Sequence, residues 1–225
     1  MVASESKLDE QAKEMKLRWE FVGMLFALTV AKIAENTAPL LAATWRLDLV
    51  QASRLLLVGF VVASSWIGWS MSRAKGAEEP VGRVFSAPFA VLVIDVVLVI
   101  VYFKMAEGIG RGRKEDTIPL PEALWSTVIF FLYVIWDVVT KVLVRNGRDG
   151  TKRMISTVVC LAVTAAILAI TAGATASDFD VVMVNTALLL VFVAFRAAKD
   201  RPPLRRLFRC GSLVVAMLLA TAVRF

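Results

Sequence analysis

Five ionisable residues fall inside long apolar runs of this chain: Lys32, Glu35, Asp95, Asp137 and Lys141, with the amide of Asn36 next to Glu35. On a helix, residues three or four apart share a face, so Lys32 meets Glu35, and Asp137 lies one turn from Lys141. In hydrocarbon an ionisable side chain costs about 2.5–3.5 kcal/mol on insertion scales, so each needs a partner or a ligand. Three acids against two lysines leave one carboxylate over, and desolvation favours its protonated or cation-bound form. The chemistry implied is ion or proton binding. Glu35, Asp95 and Asp137 supply carboxylates, Lys32 an internal counter-charge and Asn36 a polar neighbour. The competing reading is that these groups, Asp137 with Lys141 among them, close into pairs that only lock helices together.

The elements that position them must be membrane-spanning helices. The 225 residues are 58% hydrophobic with a mean hydropathy of +0.71, above the roughly 45–50% apolar content of soluble domains. Residues 19–225 are consumed by apolar runs and their connections, which leaves no length for a soluble catalytic domain. The predicted spans are Trp19–Trp45, Leu49–Met71, Val84–Phe103, Leu124–Val144, Met154–Ala176, Val181–Phe195 and Leu207–Val223. Seven spans result, with six as the alternative, because the last two runs are short and Arg209 sits at the start of the seventh. Four acids within residues 1–18 argue against a signal peptide there. Residues 1–18 instead place Leu8, Ala12, Met15 and Trp19 at helical spacing and are expected to form a cytoplasmic, interfacial amphipathic segment.

At 1.5 Å rise per residue, Lys32 lies about 20 Å from Trp19, Asp95 about 17 Å from Val84 and Asp137 about 18 Å from Trp125. All three therefore fall near one depth, whereas Lys141 is close enough to its helix end to snorkel. The net charge of +7 is a topology signal rather than a nucleic-acid surface. Of the 26 Lys and Arg residues, 17 fall in the N-terminal segment and the second, fourth and sixth connections, against seven on the other side. Arg54, near the start of the second run, is counted with that other side, and the remaining two are Lys32 and Lys141. The N-terminus is therefore expected in the cytoplasm. The connection from Lys104 to Glu122, with Gly108, Gly110, Gly112, Pro119 and Pro121, is expected as an irregular outer loop.

Other features have plainer readings. Ala162, Ala165, Ala166, Ala169 and Gly173 form a small-residue ridge on the fifth run, and Ser64, Gly68 and Ser72 one on the second. Such ridges let helices approach closely and also offer a face for a homo-oligomer. Cys160 and Cys210 lack CxxC spacing and histidine is absent, so no metal site or cofactor is expected. No HExxH, P-loop or nucleophile-elbow pattern occurs, and the chain is not expected to be an enzyme. Asp137-Val138-Val139-Thr140-Lys141-Val142 resembles the D-x-x-x-K segment around the Schiff-base lysine of microbial rhodopsins. In that family the lysine is on the last helix rather than the fourth, and its third-helix pattern has no counterpart around Asp95, so no retinal site is assigned.

The sequence thus implies an all-α, polytopic bundle in a plasma (inner) membrane of bacterial type, whose partner is the lipid bilayer. Its expected role is a small transporter or channel for a cation or protons. The alternative is a non-transporting interaction, sensor or effector subunit. The first requires the charged residues to face one cavity. The second requires them to meet in closed pairs.

Overall fold

A computed structural model describes residues 20–39, 48–74, 87–109, 121–143, 149–172 and 177–200. They form six helices: α1 (Glu20–Pro39), α2 (Leu49–Ala74), α3 (Ala87–Glu107), α4 (Pro121–Leu143), α5 (Asp149–Thr171) and α6 (Asp178–Asp200). Each is long and apolar enough to cross a bilayer, and no strand occurs among the described residues. The chain is a multi-pass helical membrane protein. The expected interfacial segment 1–18 and the seventh run, Leu207–Val223, lie outside the described residues, as does most of the Lys104–Glu122 connection.

Local chemistry sets the helix starts. Ser177 and Asp180 form a reciprocal cap on α6: the Asp180 amide donates to Ser177 Oγ at 3.3 Å and the Ser177 amide to Asp180 Oδ2 at 2.6 Å. Asp48 caps α2, accepting from the Val50 amide at 3.3 Å. Pro121 opens α4, where its missing N–H costs nothing and its fixed φ suits the first turn.

Helices α2 to α6 close a ring in which α2 packs on α3 and α6, α4 on α3 and α5, and α5 on α6, with α4 also touching α6 across the middle. Helix α1 docks outside it, where Phe26 meets Trp66 and Trp69 of α2 and Tyr102 of α3 at centroid distances of 5.2, 6.1 and 6.0 Å. The centre is filled by Leu57, Val58 and Val61 of α2, Ile129 and Phe130 of α4, and Leu188 and Phe192 of α6, with Phe130 stacked on Phe192 at 4.7 Å.

The outer faces are as apolar as the centre. Leu28, Leu56, Ile67, Ile100, Phe131, Ile155 and Ile170 are all exposed. A soluble monomer does not spread large apolar side chains over every helix, and lipid is the solvent that accepts them.

The two small-residue ridges divide. Ser64 is buried and Gly68 packs inward against Arg196 of α6. On α5, Ala162, Ala166 and Ala169 face outward in the single chain, against the expectation that this ridge lies between helices. The reason is that α5 turns Thr157, Cys160 and Thr164 toward its neighbours instead. Gly173 lies outside the described residues.

Candidate functional site

The residues singled out in the sequence separate into two places. On α1, Lys32 Nζ and Glu35 Oε2 pair at 2.9 Å, and Glu35 is two-thirds exposed. Asn36 Nδ2 donates to the Ala106 carbonyl at 2.7 Å and ties α1 to the end of α3. These three residues do not line the cavity that holds the other acids.

Asp95 and Asp137, on α3 and α4, are both buried and line one cavity of about 70 Å³. Water needs about 10–15 Å³ of such space per molecule, so the cavity suits a few waters or a small ion and is too small for an organic substrate. It lies in the half of the bundle where α1 and α3 begin and α2, α4 and α6 end. Asp95 is eight residues from Ala87, about 12 Å along the axis, and Asp137 six residues from Leu143, about 9 Å. Asp137 Oδ2 accepts from Thr157 Oγ1 of α5 at 2.6 Å, a short charge-assisted bond that fixes one side of the carboxylate. Lys141 stands on α4 one turn further on, and its side chain lies outside the described ones.

Three hydroxyls complete the deeper wall. Ser65 Oγ and Tyr133 Oη are 2.8 Å apart, and Tyr133 Oη and Tyr102 Oη 2.9 Å, a continuous row across α2, α4 and α3. Tyr133 is held by its neighbours: its ring stacks on Phe195 at 5.5 Å and meets the edge of Phe130 at 6.0 Å.

The shallower wall is cationic. Arg196 and Lys199 come from the end of α6, so the lining carries two bases as well as two acids. Lys199 Nζ lies 5.3–5.8 Å from the ring centroids of Phe195, Tyr133 and Trp136, within the range of a cation–π contact. Arg196 lies against the bare backbone of α2 at Gly68, where a Cβ would collide with the guanidinium, its Cζ standing 3.2 Å from that position. Sequence reasoning missed both bases. They were read as the start of a connection, because the sixth run was ended at Phe195 when the helix continues to Asp200.

At the opposite end of the bundle a second polar group also escaped the sequence reading. Arg54 of α2 and Glu122 of α4 form an ion pair at 2.5 Å with side chains 2% and 6% exposed, and Arg54 Nη1 reaches the Gly108 carbonyl at 3.3 Å. At the adjacent position of α2, Ser53 Oγ accepts from Asn185 Nδ2 of α6 at 2.9 Å. The available signal was position: Arg54 lies five residues inside a run already taken as a span, so it belonged with the intramembrane charges. Between the two ends, Val58 and Val61, Ile129 and Phe130, and Leu188 and Phe192 form a buried apolar layer, with Ser126 of α4 and Thr164 of α5 buried beside it.

Among the described residues no cluster of three or more Cys, Asp or Glu side chains could hold a metal ion. No protein-family model matches the chain, and neither does any curated protein or solved structure.

Proposed function

We propose that this protein is a small transporter for a proton or small cation, with Asp95 and Asp137 as its site carboxylates. The observation that carries the reading is their meeting from different helices in one small, water-sized cavity. Buried acids are expensive in a membrane, and a shared polar space in which they exchange protons or ions accounts for that cost. The cavity ends near the basic helix termini, which the positive-inside rule assigns to the cytoplasm. The apolar layer and the Arg54–Glu122 pair close the other side, so this conformation is inward-facing. The Ala-, Val- and Arg-rich composition supports a bacterial plasma membrane.

The test is reconstitution of the full chain in liposomes, with proton, sodium and potassium uptake followed separately under an imposed gradient. Transport of at least one above the empty-vesicle rate is expected. No movement of any of the three would exclude the reading.

A second reading, a non-transporting membrane subunit, is favoured by the closed Lys32–Glu35 and Arg54–Glu122 pairs. It expects that same null result, together with a loss of stability when Asp95 and Asp137 are replaced by Asn, because the carboxylates then serve only to hold helices together.

A further inference from the structure

The cavity wall bears on which ion the site takes. An alkali cation needs a shell of several oxygens, each turned toward the ion as an acceptor. Here the lining sets two carboxylates beside the cations Arg196 and Lys199, which repel a metal ion of the same sign. Ser65, Tyr133 and Tyr102 also hydrogen-bond to one another in a row, at 2.8 and 2.9 Å. In both of those contacts either oxygen can be the donor. A row of hydroxyls whose hydrogen bonds can run in either direction is poorly suited to hold a metal ion and well suited to pass a proton.

Resting on the transport reading, we infer that the substrate is the proton and that Ser65, Tyr133 and Tyr102 are its relay from the cavity carboxylates toward the apolar layer. The proton enters from water, passes by way of both Asp137 and Asp95, and crosses the cavity they share with Ser65, Tyr133 and Tyr102 to reach the row. As each hydroxyl oxygen takes a hydrogen from one neighbour it gives its own to the next, so no oxygen holds a lasting charge. A water molecule at the far end accepts the proton, and rotation of the hydroxyls resets the row. The register places the row against the apolar layer. Val61 lies one turn outward of Ser65 on α2, and Ile129 one turn outward of Tyr133 on α4. The layer therefore has to admit water for the cycle to finish, which makes it the barrier to uncoupled leak.

Tyr133 is the middle member, so its hydroxyl is the one both bonds need. Tyr133→Phe keeps the ring that stacks on Phe195 and removes only that oxygen. The experiment reads acidification of liposomes by a trapped pH dye, with potassium and valinomycin clamping the voltage, and reads sodium and potassium uptake in separate vesicles without valinomycin. Wild type is expected to move protons, with a slower rate in deuterium oxide, and Tyr133→Phe to lose at least about tenfold of that rate at equal folded yield. Tyr102→Phe breaks the same row at its end and stands in if Tyr133→Phe does not fold. An unchanged proton rate in the folded variant overturns the relay. Sodium or potassium uptake without protons overturns the proton assignment and leaves the transport reading standing, whereas no uptake of any ion ends both.

Discussion

Gly68 is the residue whose small size does the most for the site. It lets the Arg196 guanidinium lie on the backbone of α2. Two effects oppose each other in Gly68→Ala. Alanine is favoured over glycine in a helix by roughly 1 kcal/mol, while the new methyl displaces Arg196. The clash is with the flexible end of a side chain, so the arginine yields rather than the helix. The variant is therefore expected to unfold in detergent at an equal or slightly higher temperature and to transport at a changed rate. A clear loss of thermal stability, or wild-type transport, would contradict that. The glycine was visible in the sequence as part of a ridge, but its partner was not, because Arg196 looked like loop.

Among the helices, the buried Arg54–Glu122 pair ties α2 to α4. Removing one partner strands a buried charge, so Glu122→Gln is expected to destabilise the protein by about 3–5 kcal/mol. Replacing both, as Arg54→Met with Glu122→Leu, is expected to recover most of that loss, since two apolar side chains carry no desolvation penalty. Unfolding titrations of the single and double variants give the answer, and a double variant no better than the single one would mean the pair contributes net attraction. The same measurement separates the two faces of α5. Ala169 faces outward in the single chain, so Ala169→Leu is expected to change stability by less than about 0.5 kcal/mol. A large loss would show that a second copy packs there.

How much was legible follows from what each signal measures. Apolar run length located all six helices among the described residues, because the bilayer imposes that length on any spanning segment. The same runs located Asp95 and Asp137 by depth, since depth depends only on rise along an axis. Which face each side chain presents depends on how α3 and α4 are rotated about their axes, and apolar residues surround α3 too evenly to set its rotation. The meeting of Asp95 with Asp137 and the docking of Tyr102 on Tyr133 lie on that side of the line, whereas the i,i+3 spacing of Lys32 and Glu35 puts that pair on one face in any helix.

For the whole molecule, orientation and transport are one question, because the cavity lies at the end of the bundle that the charge count assigns to the cytoplasm. Single cysteines placed in the connections at 144–148 and 201–209 are expected to react only after the membrane is opened, and those in 110–120 from outside. The reverse pattern would turn the cavity to face outward.

The most direct test of the central claim is proton flux through Asp95→Asn and Asp137→Asn in liposomes, with folded yield measured on the same samples. Asn keeps the size of each side chain and removes its titration. Both variants are expected to fold and to lose nearly all flux. Folded variants of both that carry protons at the wild-type rate would contradict the account.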